Sequence, residues 1–365
     1  MTSPGLRRAR AAQESLVDRR EQQPRGAGEA AGNFLRASRL SLQPVRCGLG
    51  GVPSYGELLL LILPVFALIA IGLGSRLAGW MTAEADASLL RLVVNVLYPA
   101  LIFRSVLGNP ALADARNVVL PPVIGFVTMA GCILLALGIG RALGYAAGRG
   151  LRTFAFAAGI FNYGYIPIPL IEDLFGADSL GVLMVHNVGC ELAVWTVGIL
   201  VLSGLSPREG WRKLLSGPLV ALLAAGLGNV TGLDERMPAA LDGVIEGVGA
   251  CAIPLGLIVI GASLAEYLGK PSKLVSPRVT PNAVALRLLV FPGLMLGLAK
   301  VLPASTELKQ VMIVQAAMPA GIMPIVLAKH YGGKPLTAVQ VVLGTTAVGV
   351  FTIPLWLRLG LAWVM

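Results

Sequence analysis

Asn162-Tyr-Gly-Tyr-Ile-Pro-Ile-Pro-Leu170 and Pro319-Ala-Gly-Ile-Met-Pro-Ile-Val-Leu327 are the two stretches on which the fold turns. Sliding the chain against itself by 157 positions superposes them, pairing Gly164 with Gly321, Pro167 with Pro324, Ile168 with Ile325 and Leu170 with Leu327, and brings Gly176 onto Gly333. Each stretch lies within an apolar run, where proline denies the backbone a hydrogen bond and no water replaces it. Such a break survives only where protein or a wet cavity satisfies the freed groups. One break reads equally well as a proline kink in a packed helix; two at matched repeat positions point to a built site.

The surroundings are those of a membrane protein. The 365 residues are 56% hydrophobic and 13% charged, with a mean hydropathy of +0.78, whereas soluble domains carry about 25% charge. A soluble enzyme is excluded. Uncharged runs predict ten crossings, at about 57–76, 87–107, 117–140, 153–172, 179–203, 214–232, 243–266, 281–301, 309–329 and 336–358. The second, fifth and eighth are weakened by Arg91, Glu191 and Arg287. Pro99 and Pro254 correspond at a shift of 155. The expected fold is therefore an all-α polytopic membrane protein with two five-helix halves, 57–203 and 214–365, joined by a short central loop, 204–213. Because five is odd, the halves enter from opposite sides, as an inverted repeat with broken, crossing fourth and ninth helices.

Residues 1–56 form an Arg-rich leader without apolar periodicity, expected to be disordered. It holds nine arginines against Glu14, Asp18, Glu21 and Glu29, so of the net charge of +10 the remainder keeps 20 basic minus 15 acidic residues, or +5. That surplus suits short cytoplasmic loops, and nucleic acid is not needed as a partner. Loops after odd-numbered segments hold 13 Lys and Arg, the opposite loops six. The odd loops are thus expected inside and both chain ends outside. Exporting nine arginines conflicts with this. The expectation is a start codon placed too early, with the native start near Val45 or Val52 and a native N-terminal peptide beginning after Cys47.

Asn162, five residues before Pro167, reads either as a substrate ligand or as the cap of a broken half-helix. Its counterpart in the repeat is Pro319, so any site is asymmetric; Gln315, one turn earlier, supplies the nearest amide, as ligand or as a helix–helix hydrogen bond. Asn95, one turn before Pro99, either faces the substrate path or bonds the carbonyl that proline frees. Tyr163 and Tyr165 flank Gly164 and line the cavity or pack; Gly164 and Gly321 allow close approach of the two chains. If the broken segments cross near the midplane, two helix N-termini meet and favour an anionic group. In the fifth segment His186, Asn187 and Glu191 are candidates for proton coupling, with a structural hydrogen bond or an interfacial position as the alternative.

The runs Asn95-Val-Leu-Tyr-Pro-Ala-Leu-Ile-Phe103, Phe161-Asn-Tyr-Gly-Tyr-Ile-Pro-Ile-Pro169 and Met318-Pro-Ala-Gly-Ile-Met-Pro-Ile-Val-Leu-Ala-Lys-His-Tyr-Gly332, with Thr352-Ile-Pro354, resemble the auxin efflux carrier family. That family includes plant PIN proteins and bacterial permeases and shares its architecture with bile-acid/sodium symporters. The resemblance spans about 57 to 360. It implies a scaffold of helices 1, 2, 6 and 7, a mobile transport domain around the crossover, and substrates such as indole acetate or dicarboxylates. Plant members often carry a long hydrophilic central loop; here 204–213 is short, so regulation through it is not expected.

The functional expectation is a secondary transporter of small organic anions in the inner (plasma) membrane, working by an elevator motion. The alternatives are a sodium-coupled symporter of the bile-acid type and a non-transporting metabolite sensor. Partners are the anion, the lipid bilayer, a coupling proton or sodium ion and, as a candidate, a second copy of the chain. Cys47, Cys132, Cys190 and Cys251 have no metal or disulfide spacing, and Walker, dinucleotide and H-E-x-x-H motifs are missing, so no cofactor, metal or enzymatic activity is expected.

Overall fold

The structure, a computed structural model, describes residues 51–146, 148, 150–203, 216–267 and 274–365. The central loop 204–213, the leader before residue 51 and the expected start near Val45 lie outside the described residues. In chain order the helices are α1 (Tyr55–Leu77), α2 (Ala83–Val106), α3 (Arg116–Ala142), α4 (Leu151–Gly159), α5 (Pro167–Phe175), α6 (Ala177–Ser203), α7 (Gly217–Thr231), α8 (Ala239–Ala265), α9 (Val279–Val301), α10 (Thr306–Ala317), α11 (Met323–His330) and α12 (Pro335–Val364). The described residues include no β-strand, only an isolated bridge between Phe161 and Ala320.

Seven of these helices, α1, α2, α3, α6, α8, α9 and α12, are long and apolar enough to cross a membrane. The sequence reading expects ten. The difference is physical: the fourth and ninth expected segments are each split into two short helices, and α7 has only 15 residues. Arg91, Glu191 and Arg287 do not interrupt their segments; each lies within a helix of full crossing length.

Local sequence explains the ends. Ser54 caps α1 and forms a reciprocal box with Glu57, while Thr82, Ser216 and Ser305 accept backbone amides at the starts of α2, α7 and α10. Prolines within helices leave a different mark. One turn before Pro99 and Pro292 the backbone widens into π turns, at Val93–Leu97 and Leu286–Val290, relieving the clash of the ring with the preceding turn. Pro292 leaves the Leu288 carbonyl without a helical partner, and the Trp356 indole donates to it at 2.7 Å.

The helices pack in two sets. α1 lies on α8, α2 on α7 and α8, and the Arg104–Asp242 pair at 3.2 Å ties α2 to α8. A Cβ at Gly72 or Gly261 would overlap a carbonyl of the facing helix, at Ile258 or Ile69, so these glycines permit the α1–α8 contact. In the second set α3 lies on α4 and α6, and α12 on α9, α10 and α11. Ser305–Asn117 and Ser179–Gln310, both at 2.5 Å, stitch that set together.

Candidate functional site

The two breaks meet. The chain leaves α4 at Gly159, runs through residues 160–166 and enters α5 at Pro167; it leaves α10 at Ala317, runs through 318–322 and enters α11 at Met323. Where the segments pass, the Asn162 amide donates to the Pro319 carbonyl at 2.8 Å and the Gly321 amide to the Ile160 carbonyl at 3.0 Å. These two bonds satisfy groups that neither short helix can serve. Thr345 Oγ1 of α12 accepts the Ala320 amide at 3.2 Å. Had the helix continued upstream of Pro167, proline would have denied the Tyr163 carbonyl its partner; Gln315 Nε2 donates to it at 3.3 Å.

A cavity of about 400 Å³ opens beside this crossing, lined by residues 160–165 and 321–323, by α2 and α6, and by the start of α7. Asn162, Tyr163, Gly164, Asn187, Glu191 and Gly321 are all on its wall. Pro167, Pro319 and Pro324 lie behind it, shaping the backbone, and Gln315 is fully buried. Asn95 is outside the lining: its side chain donates to the Arg91 carbonyl at 2.8 Å, one turn back on α2. His186 is also outside, fully buried with Nδ1 3.6 Å from the Cys190 sulfur.

The wall's polar groups divide into committed and uncommitted. Glu191 accepts from the Tyr163 hydroxyl at 2.5 Å and from the Trp195 indole at 2.7 Å, so both carboxylate oxygens are held. Asn162 Oδ1 accepts the Ile166 amide at 3.5 Å, a long bond, and its Nδ2 has no partner among the described residues. The hydroxyls of Tyr98 and Tyr165, whose ring centroids are 6.0 Å apart, likewise have none among the described residues. Behind the wall Gln315 Nε2 donates to Asn187 Oδ1 at 3.1 Å, leaving Asn187 Nδ2 and Gln315 Oε1 enclosed without partners among the described residues. Among the described residues Glu191 is the one charged residue of the lining. The cavity therefore presents three free donors within a mostly apolar wall.

Three participants were not singled out in the sequence. Tyr98 reaches the crossing because Gly164 has no Cβ; one built there would lie 2.9 Å from the Tyr98 hydroxyl. Gly164 thus accommodates α2, while Gly321, whose Cβ would lie 3.2 Å from the Phe161 carbonyl, accommodates the other broken segment. Trp195 stands at i+4 from Glu191, a spacing visible in the sequence. Arg287, noted there only as a charge inside a crossing, is fully buried and stacks on Phe161.

Residues 58–210 and 209–357 match a family model described as membrane transport protein. An uncharacterized transporter of Methanothermobacter thermautotrophicus is 28% identical over 301 residues, 81% of this chain and 96% of that protein. A second uncharacterized transporter, from Methanocaldococcus jannaschii, is 21% identical over 304 residues, again 81% and 96%. Auxin efflux carrier component 3 of Arabidopsis thaliana is 30% identical over 155 residues, 41% of this chain and 24% of the plant protein.

Proposed function

The chain belongs to the membrane transport protein family of the auxin efflux carriers, and on that premise we propose that it is a secondary carrier of small organic anions in the inner (plasma) membrane. The observation that carries the substrate class is the donor set: Tyr98, Tyr165 and Asn162 offer O–H and N–H groups to a cavity of about 400 Å³ whose wall is otherwise mainly apolar. Neutral donors in an apolar pocket suit a carboxylate on a hydrocarbon body. Plant auxin carriers among the relatives agree with that class.

Counting each broken pair as one passage, α4 with α5 and α10 with α11, and adding α7 to the seven long helices gives ten crossings. In this reading α1, α2, α7 and α8 form the scaffold. The second packing set slides past it as an elevator, carrying the crossing with it.

Glu191 is the proton site. An ionised carboxylate beside the cavity repels an anion, so binding one monoanion together with one proton on Glu191 removes the conflict. His186, buried away from the wall, takes no part.

The test is uptake into proteoliposomes of malate, malonate, succinate and indole acetate, at two pH values, with and without sodium. One of these anions should accumulate in the native protein, about 10- to 100-fold less efficiently in Asn162→Ala, faster at the lower external pH and indifferently to sodium. Glu191→Gln should flatten the pH dependence. A pH dependence unchanged by that substitution ends the proton role, and uptake of none of the anions by correctly inserted protein ends the substrate class.

A further inference from the structure

Arg287 is the largest fully buried side chain among the described residues, 0% exposed, on α9 within the crossing. Its guanidinium carbon lies 5.2 Å from the ring centroids of both Phe161 and Phe291, and Nη2 reaches the Met295 sulfur at 3.7 Å. Among the described residues Nε and Nη1 have no hydrogen-bond partner and no carboxylate lies within ion-pair distance. Cation–π contacts with two rings offset part of the cost of burying this charge, but a packing role alone would be met more cheaply by Leu or Met.

Its position gives the charge a use. Phe161 is the residue that bridges to Ala320 at the crossing and lines the cavity, so the guanidinium stands one aromatic ring behind the site. Among the described residues the lining has no Lys, Arg or His. We propose that Arg287 is a specificity-determining residue of the same site: a fixed positive charge, kept dry behind Phe161, that sets the cavity's preference for anions without touching them. The proposal deepens the carrier reading and rests on it. A cation on the wall would pair with Glu191 and neutralise both; one behind the ring cannot reach Glu191, yet its field crosses the apolar wall. At a separation on the order of 10 Å and an effective dielectric of about 20, it raises monoanion occupancy roughly tenfold and leaves a neutral molecule unaffected.

The local potential can be measured without a transported substrate. In the full-length protein, Cys251→Ser removes an exposed thiol and Cys47→Ser a second one from the sequence, Glu191→Gln removes the wall's charge, and Val188→Cys places a thiol of similar size on the cavity wall. The rates of its modification by anionic and by cationic methanethiosulfonate reagents are then compared with those of free cysteine; Leu219→Cys, also on the wall, replaces it if that thiol is unreactive. Because the same potential that favours an anion about tenfold disfavours a cation about tenfold, the expected anionic-to-cationic ratio exceeds that of free cysteine on the order of a hundredfold, falls at least about tenfold in Arg287→Gln, and persists in Arg287→Lys. A ratio unchanged by Arg287→Gln in folded protein overturns the proposal. Should that variant not fold, the ratio in the Arg287-containing protein decides: no anionic preference overturns it. If no organic anion is transported while the ratio behaves as expected, the substrate class fails and the assignment of the field to Arg287 stands.

Discussion

The break between α4 and α5 and the break between α10 and α11 share a backbone plan. Each ends a short helix, crosses the other in extended conformation, and starts a second short helix with proline at its first turn. Their side chains diverge. The first break contributes Asn162, Tyr163 and Tyr165 to the cavity, while the second contributes Gly321, Ile322 and Met323, with no polar side chain among them. Its polar residue, Gln315, works from behind by holding the Tyr163 carbonyl and Asn187. Doubling a backbone break is enough to build a crossing, whereas ligand chemistry is needed once, so one copy is free to become a support.

The largest test of this division exchanges the equivalent positions. We predict that Asn162→Ala lowers kcat/KM for the carried anion by about 10- to 100-fold, the loss of one hydrogen bond to a charged group. Pro319→Ala should change it by no more than about threefold, because the group used there is the backbone carbonyl that accepts the Asn162 amide, and alanine retains it. Uptake assays on the two variants side by side decide the matter. Equal losses would mean that both breaks touch the ligand.

A somewhat smaller effect separates support from contact. Gln315→Leu strands the Tyr163 carbonyl and Asn187 Oδ1 in a buried setting, so we predict a loss of about 2 kcal/mol in stability, read as a lowered midpoint in thermal unfolding of the detergent-purified protein. Asn162→Ala should leave that midpoint nearly unchanged, since its side chain makes only the 3.5 Å bond to Ile166. A stable Gln315→Leu protein with lost uptake would instead make Gln315 a ligand.

Both breaks were legible in the sequence, because proline and glycine at matched positions in apolar runs have few other uses in a membrane. The long helices were legible too; α3, expected at 117–140, is found at Arg116–Ala142. The register of the second break was less so: the left-handed glycine that answers Gly176 is Gly332, not Gly333. Gly293 and Gly297, spaced as if for close helix packing, face open space, whereas Gly72, Gly125, Gly189 and Gly261 admit a neighbouring backbone. Spacing reports which residues share a helix face but not which faces meet. For the same reason the partners of Gln315 and Tyr98, and the Phe161 ring under Arg287, were out of reach, since each lies on a segment distant in sequence and is met only after the helices have packed.

The smallest predicted effect falls on the second break alone. There the Ala320 amide depends on a side chain, Thr345 Oγ1, which also donates back to the Val341 carbonyl on its own helix, whereas at the first break the Asn162 amide is held by backbone. Thr345→Val keeps the shape and deletes the acceptor, and Thr345 is fully buried, so water cannot take its place. We predict a cost of about 1 kcal/mol, with hydrogen exchange at the Ala320 amide accelerated about fivefold and that at the Asn162 amide unaltered. Equal acceleration at both amides would show that the two breaks open as one unit, and the crossing would then have to be treated as a single cooperative element in which neither copy supports the other.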